Sequence, residues 1–187
     1  GQERQESRAV NQKTHGIPFI PATSINGAIR SRAELIADAL GIQGDETNRI
    51  FGRGKIGSDV DIEGIAGTVI FYDSLIEKYT EEPRTGIRIN RFTGGVQRKA
   101  LFRQDAIASA DVTIRIDIPK EDTIACGLVL LAMRDLALGL TTLGSGESGG
   151  LGVFKGREIT ASVPSGDTDA QYVISQSPDK VILRNFE

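Results

Sequence analysis

The stretch Gly144-Ser-Gly-Glu-Ser-Gly-Gly-Leu-Gly152 follows a strongly apolar segment and precedes a predicted strand. Five of its nine residues are glycine, so the backbone can turn sharply and lie close to another molecule. Successive N–H groups in such a turn form a concavity that suits anions, above all phosphate. A plain glycine-rich connection between a helix and a strand fits the same letters, because a glycine-rich loop alone is a weak motif. The rest of the chain has to decide between the two interpretations.

Length predicts one domain over residues 1–187, and the order of elements given below predicts an α+β fold. The chain has 22 Lys and Arg against 25 Asp and Glu, a net charge of −3, so a nucleic-acid site has to be a local basic patch. One cysteine and one histidine exclude an internal disulfide and a Cys/His zinc site. We find no apolar run long enough to span a membrane, and we therefore expect a cytoplasmic protein with no membrane partner.

The first third of the chain predicts one helix between two loops. Residues 1–16 are polar and mixed in charge, which is typical of a loop or an arm. The pair Thr23–Ser24 offers N-caps for a helix whose apolar residues recur at helical spacing until Gly41. Residues 41–66 combine glycine, aspartate and scattered charge, so we expect a long loop with partial order there. The β-rich run 67–73 then predicts a strand.

The segment 84–104 is strongly basic. It holds six cationic side chains between Arg84 and Arg103 and no acidic one. Its first half alternates like a strand, and Gly94-Gly95 marks a hairpin turn. Such a hairpin suits a phosphate backbone, with apolar side chains such as Phe92 against bases. It equally fits a solvated edge hairpin, in which positive charge discourages aggregation.

The last third predicts a strand, a helix and further strands. Residues 112–118 alternate apolar and polar side chains, which indicates a half-buried strand. A helix is expected over 121–140, capped by Asp122 or Thr123, with a buried face made of Ile124, Leu128, Leu131, Ala132 and Leu136. A strand near 151–160 and a C-terminal extension, 162–187, with two short strands complete the chain. This order predicts a ferredoxin-like (RRM-like) βαββαβ plan whose first strand is missing from this chain.

Four blocks occur together in the order and spacing of a known family. They are Ile17 to Arg30, Phe51-Gly52 followed by Gly67 to Asp73, Arg88 to Arg91 with Thr93-Gly94, and the glycine loop 144–152. The blocks resemble the RAMP superfamily of CRISPR proteins, in particular the repeated backbone subunit of type III effector complexes. The third block is similar to the start of that family's protruding thumb hairpin, here 84–104. Ala22, Asn26 and Gly149 stand where the family often has Gly, Lys and Arg.

The resemblance implies an antiviral-defence subunit that polymerises along a guide crRNA with neighbouring copies of itself or related RAMP subunits. The thumb is then expected to reach the duplex of crRNA and complementary target RNA, while the protein recognises backbone and shape. Phosphates are expected at the start of the first helix and at the glycine loop. The RNA-binding residues are then Ser24, Asn26, Arg30, Arg88, Asn90, Arg91, Arg98, Lys99, Gly146, Ser148, Gly149 and Gly150.

Two other functions stay open. In type III relatives this subunit also cuts target RNA, with an acidic residue before the first helix and Mg²⁺ or Mn²⁺. Spacing to Ile17-Pro18 maps that residue onto Glu6, although residues 1–16 contain no Asp; without such catalysis no tightly bound cofactor is expected. A ferredoxin-like nucleotide-binding domain using the same glycine loop is a more remote alternative, which leaves the basic hairpin unexplained.

Overall fold

The computed structural model describes residues 8–9, 12–54, 64–144, 149–163, 170–177 and 180–186. These residues form three α-helices and mostly antiparallel β-sheets, which agrees with the predicted mixture of α and β structure. They cluster into two compact units, one from residues 1–21 and 73–115 and one from 22–72 and 116–187. The ferredoxin-like arrangement and the single domain stay predictions.

The first unit contains a long hairpin and a separate four-stranded sheet. In the hairpin, β6 (Thr80–Ile89) pairs with β7 (Val96–Ala108), and β1 (Arg8–Ala9) lies parallel to β7 on its other side. The hairpin covers the predicted segment 84–104 and extends beyond it at both ends. The sheet has the order β2 (Lys13–Thr14), β3 (Ile17–Ile20), β5 (Ser74–Glu77) and β8 (Asp111–Val112).

The N-terminal part of this unit differs from the sequence prediction. Residues 13–14 were expected in a loop, but they pair with β3 through a turn at His15 and Gly16, both with positive φ. Strand β3 itself lies directly before the first helix and pairs with β5. The chain therefore supplies a strand at the position where the sequence predicts a missing one.

The second unit is held together by helices α1 (Ala22–Leu40), α2 (Gly44–Phe51) and α3 (Thr123–Ala137). Helix α1 packs against both α2 and α3, and Gly41 ends α1 with a φ of 73°, as predicted. The shared core consists of apolar side chains from all three helices: Ile25, Ile29, Ala33, Ala37, Ile50, Phe51, Ala125, Leu128, Val129, Ala132 and Leu136. Among the described residues, no helix is both long and apolar enough to cross a bilayer.

Helix boundaries confirm one predicted cap and correct another. Asp122 caps α3, because its side chain accepts a hydrogen bond from the backbone N–H of Ala125 at 3.0 Å. Thr23 and Ser24 are not caps, since α1 already begins at Ala22, directly after Pro21. Ile124 was expected in the core but is exposed; it lies in the first turn of α3, one turn before the buried Leu128, where the end of the helix leaves it in solvent.

Helix α2 falls within residues 41–66, where the sequence predicts a loop. It buries Thr47, Ile50 and Phe51, at a helical spacing of three and four residues. The helix has only eight residues and contains Gly, Asp and Asn, which have low helix propensity. Packing against α1 and stacking of Phe51 on Phe71, with ring centroids 6.2 Å apart, therefore stabilise it more than its own composition does.

Three predicted strands have different bounds in the structure. Of 67–73 only β4 (Ile70–Phe71) is a strand, paired with β9 (Ile116–Asp117). The run 112–118 is split, because β8 pairs with β5 whereas β9 pairs with β4. The strand expected near 151–160 begins only at Glu158, where β10 (Glu158–Val163), β11 (Ala170–Ser177) and β12 (Lys180–Phe186) form an antiparallel sheet.

Candidate nucleic-acid interface

The turn of the β6–β7 hairpin is fixed by one asparagine. The Oδ1 atom of Asn90 accepts hydrogen bonds from the backbone N–H groups of Phe92 and Thr93, at 2.8 and 3.2 Å. The N–H of Gly94, whose φ is 66°, donates to the carbonyl of Asn90 at 2.8 Å. Such side-chain turns hold a loop in one conformation. The predicted RNA ligand Asn90 therefore has a structural task, which is to present its neighbours.

The end of this hairpin exposes apolar side chains. Phe92 is 92% exposed, and Ile87, Ile89 and Val96 are at least half exposed. Ile89 and Val96 face each other across the two strands. We call these four residues the apolar tip. The sequence pointed to Phe92, but it did not show that the aliphatic residues beside it would also face solvent.

Basic residues lie within the apolar tip and on the strands next to it, and acidic residues lie at the other end of the hairpin. Arg91, within the turn, is exposed, and so are Arg84 and Arg103. Beyond the pair Arg84–Gln104 the hairpin contains no acidic residue, whereas Glu81, near its base, forms an ion pair with Lys13 at 2.9 Å. The side chains of Arg88, Arg98 and Lys99 lie outside the described part of the chain. The tip thus combines exposed apolar groups with a local positive charge.

In the second unit, α1 side chains bind the C-terminal end of α2. The guanidinium of Arg30 donates to the carbonyl of Gly52 and to Oδ1 of Asn48, the latter at 3.0 Å, and pairs with Glu34 at 2.7 Å. One turn earlier, the amide of Asn26 donates to the carbonyl of Phe51 at 3.4 Å. The last carbonyls of a helix lack intrahelical donors. Asn26 and Arg30 supply such donors, which sequence analysis did not foresee.

Gly52 and Gly67, from the second of the four sequence blocks, permit two backbone segments to touch. A Cβ atom on Gly67 would lie 2.6 Å from the carbonyl carbon of Phe51, and one on Gly52 would lie 2.9 Å from the nitrogen of Gly67. The same two segments exchange backbone hydrogen bonds between Arg53 and Ile65, both at 2.8 Å. This motif is therefore explained by close packing within the chain.

Near the start of α1 one glycine faces solvent. Ser24 is half-buried, and Gly27, on the next turn, is exposed, with no atom outside its own helix backbone within 4 Å of where a Cβ would lie. A glycine inside a helix costs about 0.5–1 kcal/mol relative to alanine. Unlike Gly52 and Gly67, Gly27 is not required by packing within the described chain.

A backbone contact between Leu143 and Gly152 joins the two ends of the glycine loop 144–152. The N–H of Leu143 donates to the carbonyl of Gly152 at 3.0 Å, and a Cβ on Gly152 would lie 2.3 Å from the carbonyl oxygen of Leu143. Gly149 and Gly150 are exposed, and Gly150 has a φ of 72°. Gly146 and Ser148, two predicted phosphate ligands, lie outside the described residues.

The predicted catalytic residue, Glu6, also lies outside the described residues. Strand β1, which begins two residues after Glu6, pairs with β7 at Arg103 and Gln104. Within the described part of the chain, no three His, Cys, Asp or Glu side chains are placed to hold a metal ion.

The chain matches the profile of a known protein family. The family profile described as the RAMP superfamily matches residues 1–155, which include the hairpin, the three helices and the glycine loop. A search of curated proteins finds no match to the chain.

Proposed function

The chain belongs to the RAMP superfamily of CRISPR proteins, and from this membership we propose that it is a guide-RNA-binding backbone subunit of a type III effector complex. Membership indicates a CRISPR-associated RNA-binding function. The finer role, holding crRNA and the duplex of crRNA and target RNA beside neighbouring RAMP subunits, is supported best by the apolar tip of the β6–β7 hairpin.

The apolar tip is the main support for the proposal, because exposing apolar side chains to water costs free energy that a bound partner would recover. Burying a large apolar side chain such as Phe or Ile contributes roughly 1.5–3 kcal/mol, and the apolar tip leaves four apolar side chains in water. Contiguous exposed apolar groups mark interaction sites. Bases stack on exposed aromatic rings with about 1–3 kcal/mol each. Phe92 with Arg91 beside it offers an aromatic face and a cation to such a partner.

The second unit supports the proposal through backbone groups. Gly150 is exposed in a turn with a φ of 72°, and the exposed Gly27 permits close approach to α1 near Ser24. Phosphates bind at such positions because helix N-termini and glycine turns present N–H donors. We assign Arg30 and Asn26 to holding the end of α2, since their donors are used within the chain.

The experiment is guide-RNA binding measured by fluorescence anisotropy, with and without complementary RNA. Phe92→Ala is expected to weaken binding roughly tenfold, as the loss of one base stack implies. Leu35→Ala is the matched control, because Leu35 is also a large, 60% exposed apolar residue but lies on α1. Equal affinities of the two variants would remove the tip from the RNA interface.

The salt dependence of the same assay tests the nucleotide-binding alternative. Phosphate contacts make the affinity for RNA fall as the salt concentration rises. For single strands, each contact makes the slope of log K against log salt concentration steeper by about 0.7. A steep slope agrees with a backbone-binding subunit. Weak, salt-insensitive RNA binding would favour the ferredoxin-like nucleotide-binding domain.

Target-RNA cleavage is the second candidate function, because β1 brings the chain that follows Glu6 to the hairpin sheet. Its test is cutting of labelled complementary RNA by the assembled complex with Mg²⁺ or Mn²⁺, compared with Glu6→Ala. Loss of regularly spaced cuts with intact binding would identify an endoribonuclease. Unchanged cutting would exclude Glu6, and no cutting by either version would leave a guide-RNA scaffold.

A further inference from the structure

A buried carboxylate in the second unit holds two arginines. Asp135 of α3 is only 1% exposed. Its Oδ2 atom accepts from Nε of Arg32 at 2.7 Å, and its Oδ1 atom accepts from Nε and Nη2 of Arg134 at 3.0 and 2.7 Å. Burial pushes the pKa of Asp135 up, but the hydrogen bonds from Arg134 and Arg32 outweigh it and hold that pKa below its usual range. The carboxylate is therefore charged, and both its oxygens are occupied.

The two arginines keep a surplus of charge and donors. One carboxylate balances one of the two positive charges, so the cluster carries a net charge of +1. Arg32 is 29% and Arg134 43% exposed at the side chain. In the part of the chain that the structure describes, Arg32 donates to Asp135 through Nε alone, and Nη1 of Arg134 has no acceptor. Terminal N–H groups of both guanidinium groups are thus available at the surface.

Linking α1 to α3 does not require both arginines. Arg32 of α1 already makes the inter-helix ion pair with Asp135. Arg134 is the sequence neighbour of Asp135 on the same helix, so its ion pair connects no additional element. The second arginine adds a guanidinium group that the buried carboxylate of Asp135 holds in one orientation. Fixing a flexible side chain in advance reduces the entropy lost when a ligand binds.

We propose that Arg32 and Arg134, fixed by Asp135, bind a backbone phosphate of the RNA, with residues other than those of the hairpin and the glycine loop. This inference rests on the proposed RNA-binding function. Guanidinium groups suit the ligand because their paired N–H donors match the oxygens of a phosphate. Neither arginine-to-base readout nor sequence preference is expected, since a phosphate contact positions the RNA without reading it.

The test compares variants by the salt dependence of guide-RNA binding. Arg134→Gln is expected to reduce the slope of log K against log salt by about 0.7, the loss of one phosphate contact to single-stranded RNA. Arg134→Lys keeps the charge and is expected to keep the slope. Lys120→Gln is the control, because Lys120 is an exposed cation in the turn before α3. A slope for Arg134→Gln equal to that of Lys120→Gln would overturn the proposal.

Two further measurements separate the outcomes. Phenylglyoxal footprinting of the unaltered chain should show Arg134 protected when guide RNA is bound, which requires no variant to fold; full reactivity of Arg134 in the complex would also overturn the proposal. Arg91→Gln reports on the hairpin in the same salt series. If Arg91→Gln lowers the slope and Arg134→Gln does not, only this inference fails. If the unaltered chain shows no salt-dependent RNA binding, the proposed function fails with it.

Discussion

Gly67→Ala tests why this family motif needs glycine. The added Cβ would lie 2.6 Å from the carbonyl carbon of Phe51, 2.7 Å from the oxygen of Ile50 and 2.8 Å from the nitrogen of Gly52. All three atoms belong to the backbone, so no side-chain rotation relieves the overlap. The two segments have to separate, which strains the hydrogen bonds from Thr68 and Val69 to the α2 carbonyls at 3.1 and 3.2 Å.

The magnitude follows from two contributions. Overpacking costs about 1–3 kcal/mol, and weakening one or two hydrogen bonds adds about 1 kcal/mol each. We therefore expect a loss of roughly 3 kcal/mol, which lowers the unfolding temperature of a chain of this length by about 6–12 °C. The assay is thermal and urea unfolding followed by far-ultraviolet circular dichroism.

Gly127→Ala is the matched control. Gly127 is an exposed glycine inside α3 with no atom within 4 Å of a Cβ. Alanine there is expected to stabilise the helix by about 0.5–1 kcal/mol. If Gly67→Ala were as stable as the unaltered chain, or shifted in the same direction as Gly127→Ala, the close contact of the two backbone segments would be refuted.

Three further predictions concern the glycine loop, the cap of α3 at Asp122 and the contacts of Arg30 with the end of α2. Gly152→Ala is expected to destabilise the fold by several kcal/mol more than Gly150→Ala in urea unfolding, because both have positive φ but only Gly152 lies against the Leu143 carbonyl; equal losses would contradict this. Hydrogen bonds from Arg49 lower the pKa of Asp122 below its ordinary value of 3.8, so its stabilisation is complete above that pH and is lost as the pH falls through the lower, folded-state pKa. The urea midpoint of Asp122→Asn should therefore change less than that of the unaltered chain below about pH 4, whereas parallel curves would exclude this pair as a cause. Arg30→Lys is expected to lose on the order of 1–3 kcal/mol, because a single ammonium does not reproduce the fork that reaches Asn48 and Gly52; an unchanged stability together with a smaller salt slope in RNA binding would instead make Arg30 a phosphate ligand.

The sequence predicts the parts of the fold that depend on local chemistry. The periodicity of α1 and its end at Gly41, the cap of α3 at Asp122 and the hairpin turn near Gly94 all follow from residues within a few positions of each other. Each signal acts through adjacent backbone groups, so no knowledge of distant partners is needed.

The features that the sequence did not show depend on distant partners. Helix α2 is stabilised by α1 and by Phe71, and its short apolar pattern, Thr47, Ile50 and Phe51, was the one local signal that could have revealed it. The alternating run 112–118 looks like one strand, but its two ends pair with different strands. Arg30 carries a charge that suits phosphate, yet its contacts with Asn48 and Gly52 arise from residues 18 and 22 positions away.

Photocrosslinking tests the proposed RNA contact at the hairpin most directly. Guide RNA with 4-thiouridine at successive positions would be bound to the chain, with and without complementary RNA, and the crosslinked peptides mapped by mass spectrometry. Crosslinks to the peptide containing Phe92 and Arg91, lost in Phe92→Ala but retained in Leu35→Ala, are the predicted result. Efficient crosslinks elsewhere on the chain and none between Ile87 and Val96 would contradict an RNA contact at the hairpin.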